Sequence, residues 1–497
     1  GSLPHRAAQA EPAAPPSEEA ELGQLLLEST TSYLTAIRAA RSARGSQAVA
    51  PWPPELPGSL RELQEELGAL LLDDSAGGAP TVAVTLSEKL AQFNRWFERE
   101  LGGKLGLHVK AVEVAGMRIG VEAVQPIAAD DIYLKVPPHV ILDRRSAMDS
   151  EIGGALEEVR HHFGGGDGFH ELLLHLLHER FVRKEISQWW PYLQLLPDVS
   201  DLAAPHFVQD GVLEAALGSS AILPLVRRQR QAVRGKYSKV MTQVLERVSF
   251  FRRNRDVYTL TNYKWATFIL DTRSIWWQGE RHLVPMLDFV NCRSFHGMDV
   301  AAVPMRVHST VADADRFAVT RAPAAFAPGD QIFENYGQPN HVYFLYHGFS
   351  LEANPHDCLL WHLQIDHICL DPAHIDDEAL AVRIASSTGA GADEGKAARR
   401  QQGRQFLLSD LRRRLKEHPR LTAPVGATAR DAAVFAFAES ERRLLKLLVA
   451  RLKRLLSEEP ASGVGNMKHG PGRGKGSSCT GAKPADASLA LDEACSS

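Results

Sequence analysis

Two short stretches hold the residues best placed to do chemistry. His282-Leu283-Val284-Pro285-Met286-Leu287-Asp288-Phe289-Val290-Asn291-Cys292 carries a hydrophobic run onto Asn291. Phe333-Glu334-Asn335-Tyr336-Gly337-Gln338-Pro339-Asn340 carries another onto Tyr336 and leads to Tyr346-His347-Gly348-Phe349. Each run delivers a hydrogen-bonding side chain to the end of a buried element. Singly these residues say little: an Asn after a strand is as a rule a turn residue, a buried Tyr is core, and Arg273 alone is a structural ion-pair arginine. His347 adds a group whose unperturbed pKa lies near neutrality, so it either serves as a base or fills space. Other chemistries fail on spacing. His170 and His175 stand about 140° apart around a helix, whereas a zinc-protease motif needs i and i+4 on one face. Gly164-Gly165-Gly166-Asp167-Gly168 follows no strand of a βαβ unit and is no dinucleotide loop. His161 and His162 lack a third partner at convincing spacing, and no metal ligands are expected.

The two stretches, in order and spacing, resemble the cofactor-proximal signatures of SET-domain methyltransferases. The nearest branch is that of the Rubisco large-subunit lysine methyltransferase and the actin-histidine methyltransferase. Glu179-Arg180 with Trp190-Pro191-Tyr192-Leu193 and Leu196-Pro197 resembles the "ER…W.PYL..LP" segment of that branch. Leu217-Gly218-Ser219-Ser220-Ala221-Ile222-Leu223 resembles its "LxGSSL", and Phe435 to Leu448 its final-domain helix, so the resemblance covers residues 86 to 456. It implies methyl transfer from S-adenosylmethionine to a protein side chain, an in-line displacement that draws mostly on positioning and electrostatics. It places Tyr336 at the methyl-transfer pore, Asn291 on the amino-acid portion or adenine edge of the cofactor, and Phe349 against the adenine ring. Arg273 would meet the cofactor carboxylate, a strong bidentate pairing. Asp288 braces the loop within the same cofactor set, which also includes Gly120 and Cys292. The segment from Asn335 to Asn340 would thread beneath the Asn291 loop as a pseudoknot.

The chain departs from that pattern at several points. Arg118 stands where the first glycine of "GxG-hydrophobic-x-A" belongs, Cys292 replaces a histidine, and His347 replaces the tyrosine before Gly-Phe. The last change opens room for an imidazole acceptor. Lysine is the favoured acceptor, histidine stays open, and a non-catalytic SET-like protein-binding scaffold is the rival class. Tyr336 and His347 are the catalytic candidates.

The elements that must position these residues follow from pattern and composition. The implied fold class is α+β: a SET β-fold with a pseudoknot, split by a large helical insertion and followed by an all-helical C-terminal substrate-binding domain. The expected divisions are a disordered 1–17, a helical appendage over 18–85 with a capped helix from Ser59, SET portions over 86–149 and 271–350, and an insertion over 150–270. A substrate-binding domain over 351–460 and a disordered tail over 461–497 complete the chain. A second capped helix is expected from Leu86 to Glu100 with Leu90, Phe93, Trp96 and Phe97 on one face. Period-two alternation predicts strands at 109–114, 119–124 and 132–137, and amphipathic helices are expected at 404–416 and 429–456. A length of 497 residues implies two or three domains. The formal net charge of -4 is unlike the basic footprint of a nucleic-acid binder, and no apolar run is long enough to span a membrane. A monomer acting on a protein substrate is expected, without nucleic acid or membrane. Five unclustered cysteines point away from disulfides and structural zinc and towards a reducing compartment. Cytoplasm is the expected location, with the nucleus as the alternative; organelle import stays open because the chain opens on Gly1.

Overall fold

The computed structural model describes residues 84–102, 108–163, 167–293, 310–363, 366–387, 395–418, 423–424 and 426–458. The chain divides into Gly1–Ala79 and Pro80–Ser497, and the description below concerns the second unit. The expected N-terminal stretch, all but the last two residues of the appendage, and the tail lie outside the described residues.

Thr85 starts helix α1 (Leu86–Glu100) through a capping box: its hydroxyl accepts from the Glu88 N–H, and Glu88 accepts from the Thr85 N–H. Leu90, Phe93, Trp96 and Phe97 form the buried face. Asn94 fastens α1 to the first strand, its amide donating to the Ala111 carbonyl and accepting from the Ala111 N–H. Strands β1 (Val109–Val114), β2 (Arg118–Ala123) and β3 (Ile132–Val136) sit where alternation predicts them. β1 and β2 make an antiparallel hairpin, and β9 (Gln331–Glu334) joins the free edge of β2. On its far side β9 pairs in parallel with β6 (Asn291–Cys292), setting Asn291 opposite Phe333 and Cys292 opposite Glu334. A second sheet places β8 (Ala318–Arg321) between β3 and β7 (Val311–Ala312), and β4 (Ser274–Trp277) and β5 (Glu280–Leu283) form their own hairpin.

Helices α2 (Phe169–Leu177), α3 (Ile222–Arg247) and α4 (Leu260–Arg273), with shorter turns, separate β3 from β4. All nine residues of α2 are buried, so its run of leucines is a core helix rather than an amphipathic one. α4 starts at the Thr259 cap, whose hydroxyl accepts from Asn262 N–H, and buries Tyr263 and every residue from Trp265 to Leu270. The Trp265 indole donates to the Pro197 carbonyl at 2.8 Å. That anchor fixes where the C-terminal end of α4, Arg273, emerges.

The C-terminal portion opens on a hairpin, β10 (Leu359–Leu363) and β11 (Asp366–Leu370), and continues as α5 (Glu378–Ser387), α6 (Lys396–Glu417) and α7 (Ala429–Glu458). Leu359, Trp361, Leu370, Leu407, Leu411, Leu445, Leu448 and Leu452 give it a core of its own. One expectation is corrected here: Cys358 and Cys369 are joined by a disulfide. The hairpin brings them together, a register that the spacing of single cysteines does not reveal. Among the described residues no helix is long and apolar enough to cross a membrane.

Candidate active site

The site grows from the parallel meeting of β6 and β9. After β5 the chain makes a tight turn in which Met286, fully buried, adopts φ 75°, a left-handed conformation that costs about 1–2 kcal/mol for a residue with a Cβ. The turn places Asp288 against the end of α4. Arg273 Nη1 donates to Asp288 Oδ2 at 3.1 Å and to the Asp288 carbonyl at 3.0 Å. The Tyr192 hydroxyl donates to the same Oδ2 at 2.9 Å. Burial pushes the Asp288 carboxyl up to about 6, against the opposing pull of Arg273 and Tyr192. Asp288 therefore braces the loop, as its sequence context implies. Tyr192, quoted in the sequence only as part of a segment, proves to be its second support.

Asn291 and Tyr336 converge. The Asn291 amide donates to the Ile119 carbonyl at 2.9 Å, and the Tyr336 hydroxyl donates to the Val290 carbonyl at 2.7 Å. Two adjacent residues of one strand end are thus held by β2 and by the segment that follows β9. At the residue after Ile119, Gly120, a Cβ would lie 2.6 Å from Gln331 Nε2 and 2.8 Å from Val114 Cγ2, so any larger residue makes those side chains move. Arg118 enters β2 at φ 64°, so it takes the backbone shape a glycine would prefer. Its guanidinium donates to the Leu195 carbonyl at 2.5 Å and lies within electrostatic reach of Arg273.

A ring cluster closes the site. The segment Tyr343–His347 is wound as a π turn, a local widening frequent at functional sites. Tyr343 is fully buried, stacks on Phe349 at 5.0 Å between centroids, and lies 6.3 Å from the Tyr336 ring. Its hydroxyl accepts from the Gln338 N–H and from the Cys292 thiol. His347 lies 5.6 Å from the Tyr336 ring and 5.9 Å from Phe349. Burial raises the Cys292 thiol, which stays protonated and packs rather than reacts. Burial above all, with the nearby Glu334 charge, also holds the Tyr336 phenol well above its usual range. Tyr343 is absent from the residues expected from the sequence; its one mark there is its position four residues before His347, one turn away on a helix.

The structure brings together Gly120, Arg273, Asp288, Asn291, Cys292, Tyr336, His347 and Phe349. It turns Arg273 onto Asp288 and Phe349 onto Tyr343. Asn340 lies beyond as a hub: its amide donates to the Leu351 carbonyl, to Asp357 and to Ser440, and its Oδ1 accepts from the Leu351 N–H. Two polar atoms in the site, Arg273 Nε and Asp288 Oδ1, are buried without a hydrogen-bond partner. A spare guanidinium donor beside the Asn291 amide and neutral ring hydroxyls fits a ligand bearing an amino-acid carboxylate and a cation near aromatic faces.

No protein-family model matches the chain. The actin-histidine N-methyltransferase of Drosophila melanogaster is 24% identical over 329 residues, 60% of this chain and 56% of that protein. The chloroplastic ribulose-1,5 bisphosphate carboxylase/oxygenase large subunit N-methyltransferase of Pisum sativum is 23% identical over 254 residues, 51% of this chain and 49% of its own length. The chain spans about half the length of these curated relatives. Among solved structures, the SET domain of LSMT bound to lysine and AdoHcy superposes with a TM-score of 0.53 at 18% identity, over 75% of this chain and 93% of that one. At that identity the likeness shows the fold.

Proposed function

We propose that this chain, which has the SET-domain fold, is an S-adenosylmethionine-dependent protein methyltransferase acting on a side-chain nitrogen of a protein substrate. The observation that carries the reading is the convergence of Asn291 and Tyr336 on one strand end, in one site with a half-buried arginine whose buried Nε has no hydrogen-bond partner. S-adenosylmethionine, when bound, supplies a sulfonium methyl group that passes to the acceptor nitrogen as the carbon–sulfur bond breaks and the nitrogen gives up its proton. Arg273, held in place by Asp288, offers Nε to a carboxylate. Asn291 and Gly120 line the approach. Tyr336 gives its one hydroxyl proton to Val290, so towards electropositive C–H or N–H groups its oxygen acts as an acceptor. Its neutral form makes it a positioning acceptor and not a base. His347, beside it, is the group placed to take a proton from the acceptor. The helices of 351–460 would dock the protein substrate.

Lysine is the acceptor we favour. Histidine is the second reading, supported by His347 in place of the expected tyrosine and by similarity to actin-histidine N-methyltransferases. Titration calorimetry with S-adenosylmethionine tests the core of the proposal. Micromolar binding is expected, with roughly tenfold or greater loss in Arg273→Ala, the worth of about 1.4 kcal/mol. A folded protein that gives no binding heat would leave only the scaffold reading. Radiolabelled methyl transfer into a cell lysate, followed by mass spectrometry of the labelled band, then names the acceptor residue.

A further inference from the structure

Cys358, Cys369 and His341 stand together at the junction between the site and the C-terminal hairpin, their ligand atoms all within 4.8 Å of one another. The mechanism above uses none of them. The disulfide closes a separation of only 11 residues, a loop already held by the five paired positions of β10 and β11. Loop closure stabilises in proportion to the chain freedom it removes, so the covalent link adds little to this hairpin. His341 is the informative neighbour. Its ring is hydrogen-bonded to the Cys358 backbone, while its Nδ1 is buried with no hydrogen-bond partner. A histidine held by a backbone group, with a buried unpartnered ring nitrogen and its ring within reach of two sulfurs, suits a metal ligand with its orienting contact.

We propose that in the reduced protein Cys358, Cys369 and His341 bind a thiophilic divalent cation of the zinc class. A dithiol reductant takes up the sulfur–sulfur bond, becoming a disulfide itself, and leaves two thiols. The cation displaces their two protons to solvent and is held by two thiolates and a neutral imidazole, with water in the remaining position. Tetrahedral zinc–sulfur bonds of about 2.3 Å set two sulfurs roughly 3.8 Å apart, so the pair opens by side-chain rotation alone. Cys369 is exposed, which gives both reductant and ion a path. The consequence is mechanical. The disulfide ties the hairpin to itself, whereas the ion adds a third leg at His341, between Tyr336 and His347, and pins the site segment to the C-terminal portion.

The test uses the full chain, reduced with a dithiol, loaded with Zn2+ or Co2+ and freed of excess metal. Stoichiometric zinc and thiolate-to-cobalt charge-transfer absorption are expected for the parent protein. Both should be lost in Cys369→Ser, whose exposed position makes the change safe for folding, and affinity should fall more than about tenfold in His341→Gln. Circular dichroism checks that each variant is folded. Reduced parent protein that retains no metal would overturn the proposal, as would metal content or cobalt absorption unchanged in Cys369→Ser.

Discussion

Among single residues, Tyr336 and Asp288 carry the sharpest expectations. Tyr336→Phe removes the hydroxyl that Val290 orients and with it the oxygen that, in the proposed function, would face the acceptor. Turnover on the identified substrate should fall on the order of 100-fold, the scale of losing one positioned polar group, while cofactor affinity stays within about threefold. An unchanged rate would strip Tyr336 of its role. Asp288 makes a prediction about stability. Its carboxyl is raised from 3.8 to about 6 in the folded chain, so the native state binds the proton more tightly than the unfolded one. Stability from this group is therefore greatest below about pH 4 and declines as pH rises through about 6, by about 3 kcal/mol in all once pH exceeds about 7. Urea unfolding of the parent and Asp288→Asn across that range isolates the contribution, because other buried carboxyls are common to both. The difference between the two proteins should shift by about 2 kcal/mol between pH 4 and pH 6; parallel curves would show that Asp288 titrates normally. Asn291 and Tyr336 stand out in the sequence only through the resemblance of their two segments in order, since singly each reads as a turn or core residue. Tyr192 and Tyr343 do not, since what gives them a role is the partner their hydroxyls meet, Asp288 in one case and Cys292 with Gln338 in the other, and such meetings depend on elements far apart in the chain.

At the level of elements, local pattern located α1, β1, β2 and β3 because capping and alternation are written in neighbouring residues. The parallel pairing of β6 with β9 is different. β6 is two residues long, too short to leave any periodicity, and its partner lies beyond an intervening sheet. The expectation of a crossing there came from resemblance rather than from pattern. The disulfide was hidden for a related reason: the contact depends on the register of β10 against β11. The π turn at Tyr343–His347 likewise has no sequence mark apart from Gly348, which ends it at φ 74°. A Cβ at Gly348 would lie 2.7 Å from the backbone carbonyl of Ala203. Gly348→Ala should then cost about 1–2 kcal/mol for the left-handed conformation alone, and more from the contact with rigid backbone. The extra cost falls on the segment that carries His347. A lower urea midpoint together with reduced turnover is expected. A variant as stable and active as the parent would mean that the π turn shifts freely and does not set the position of His347.

For the molecule as a whole, α7 joins three regions that the sequence presents separately. At its start Arg430 donates to the backbone carbonyls of Leu202, Phe207 and Val199 in the insertion. In its middle Phe437 stacks on Phe344 of the π turn at 4.5 Å, and Ser440 accepts from the Asn340 amide. One turn further on, Glu441 accepts from Ser220 of the insertion and pairs with His418 at the end of α6. A substrate docked on the C-terminal helices would therefore be held in register with His347 by this helix rather than by any direct contact. Arg430 is the place to test that coupling, because its hydrogen bonds to Leu202, Phe207 and Val199 tie α7 to the insertion. Arg430→Ala leaves carbonyls of the insertion without their donor, at a cost of about 2 kcal/mol. Faster hydrogen exchange is expected at residues 199–208 and 429–434, with S-adenosylmethionine affinity unchanged. KM for the protein substrate should rise roughly tenfold, equivalent to about 1.4 kcal/mol of lost docking, with kcat within about twofold. If kcat fell and KM held, α7 would be supporting the chemistry itself, and the division between a β site and a helical docking platform would have to be redrawn.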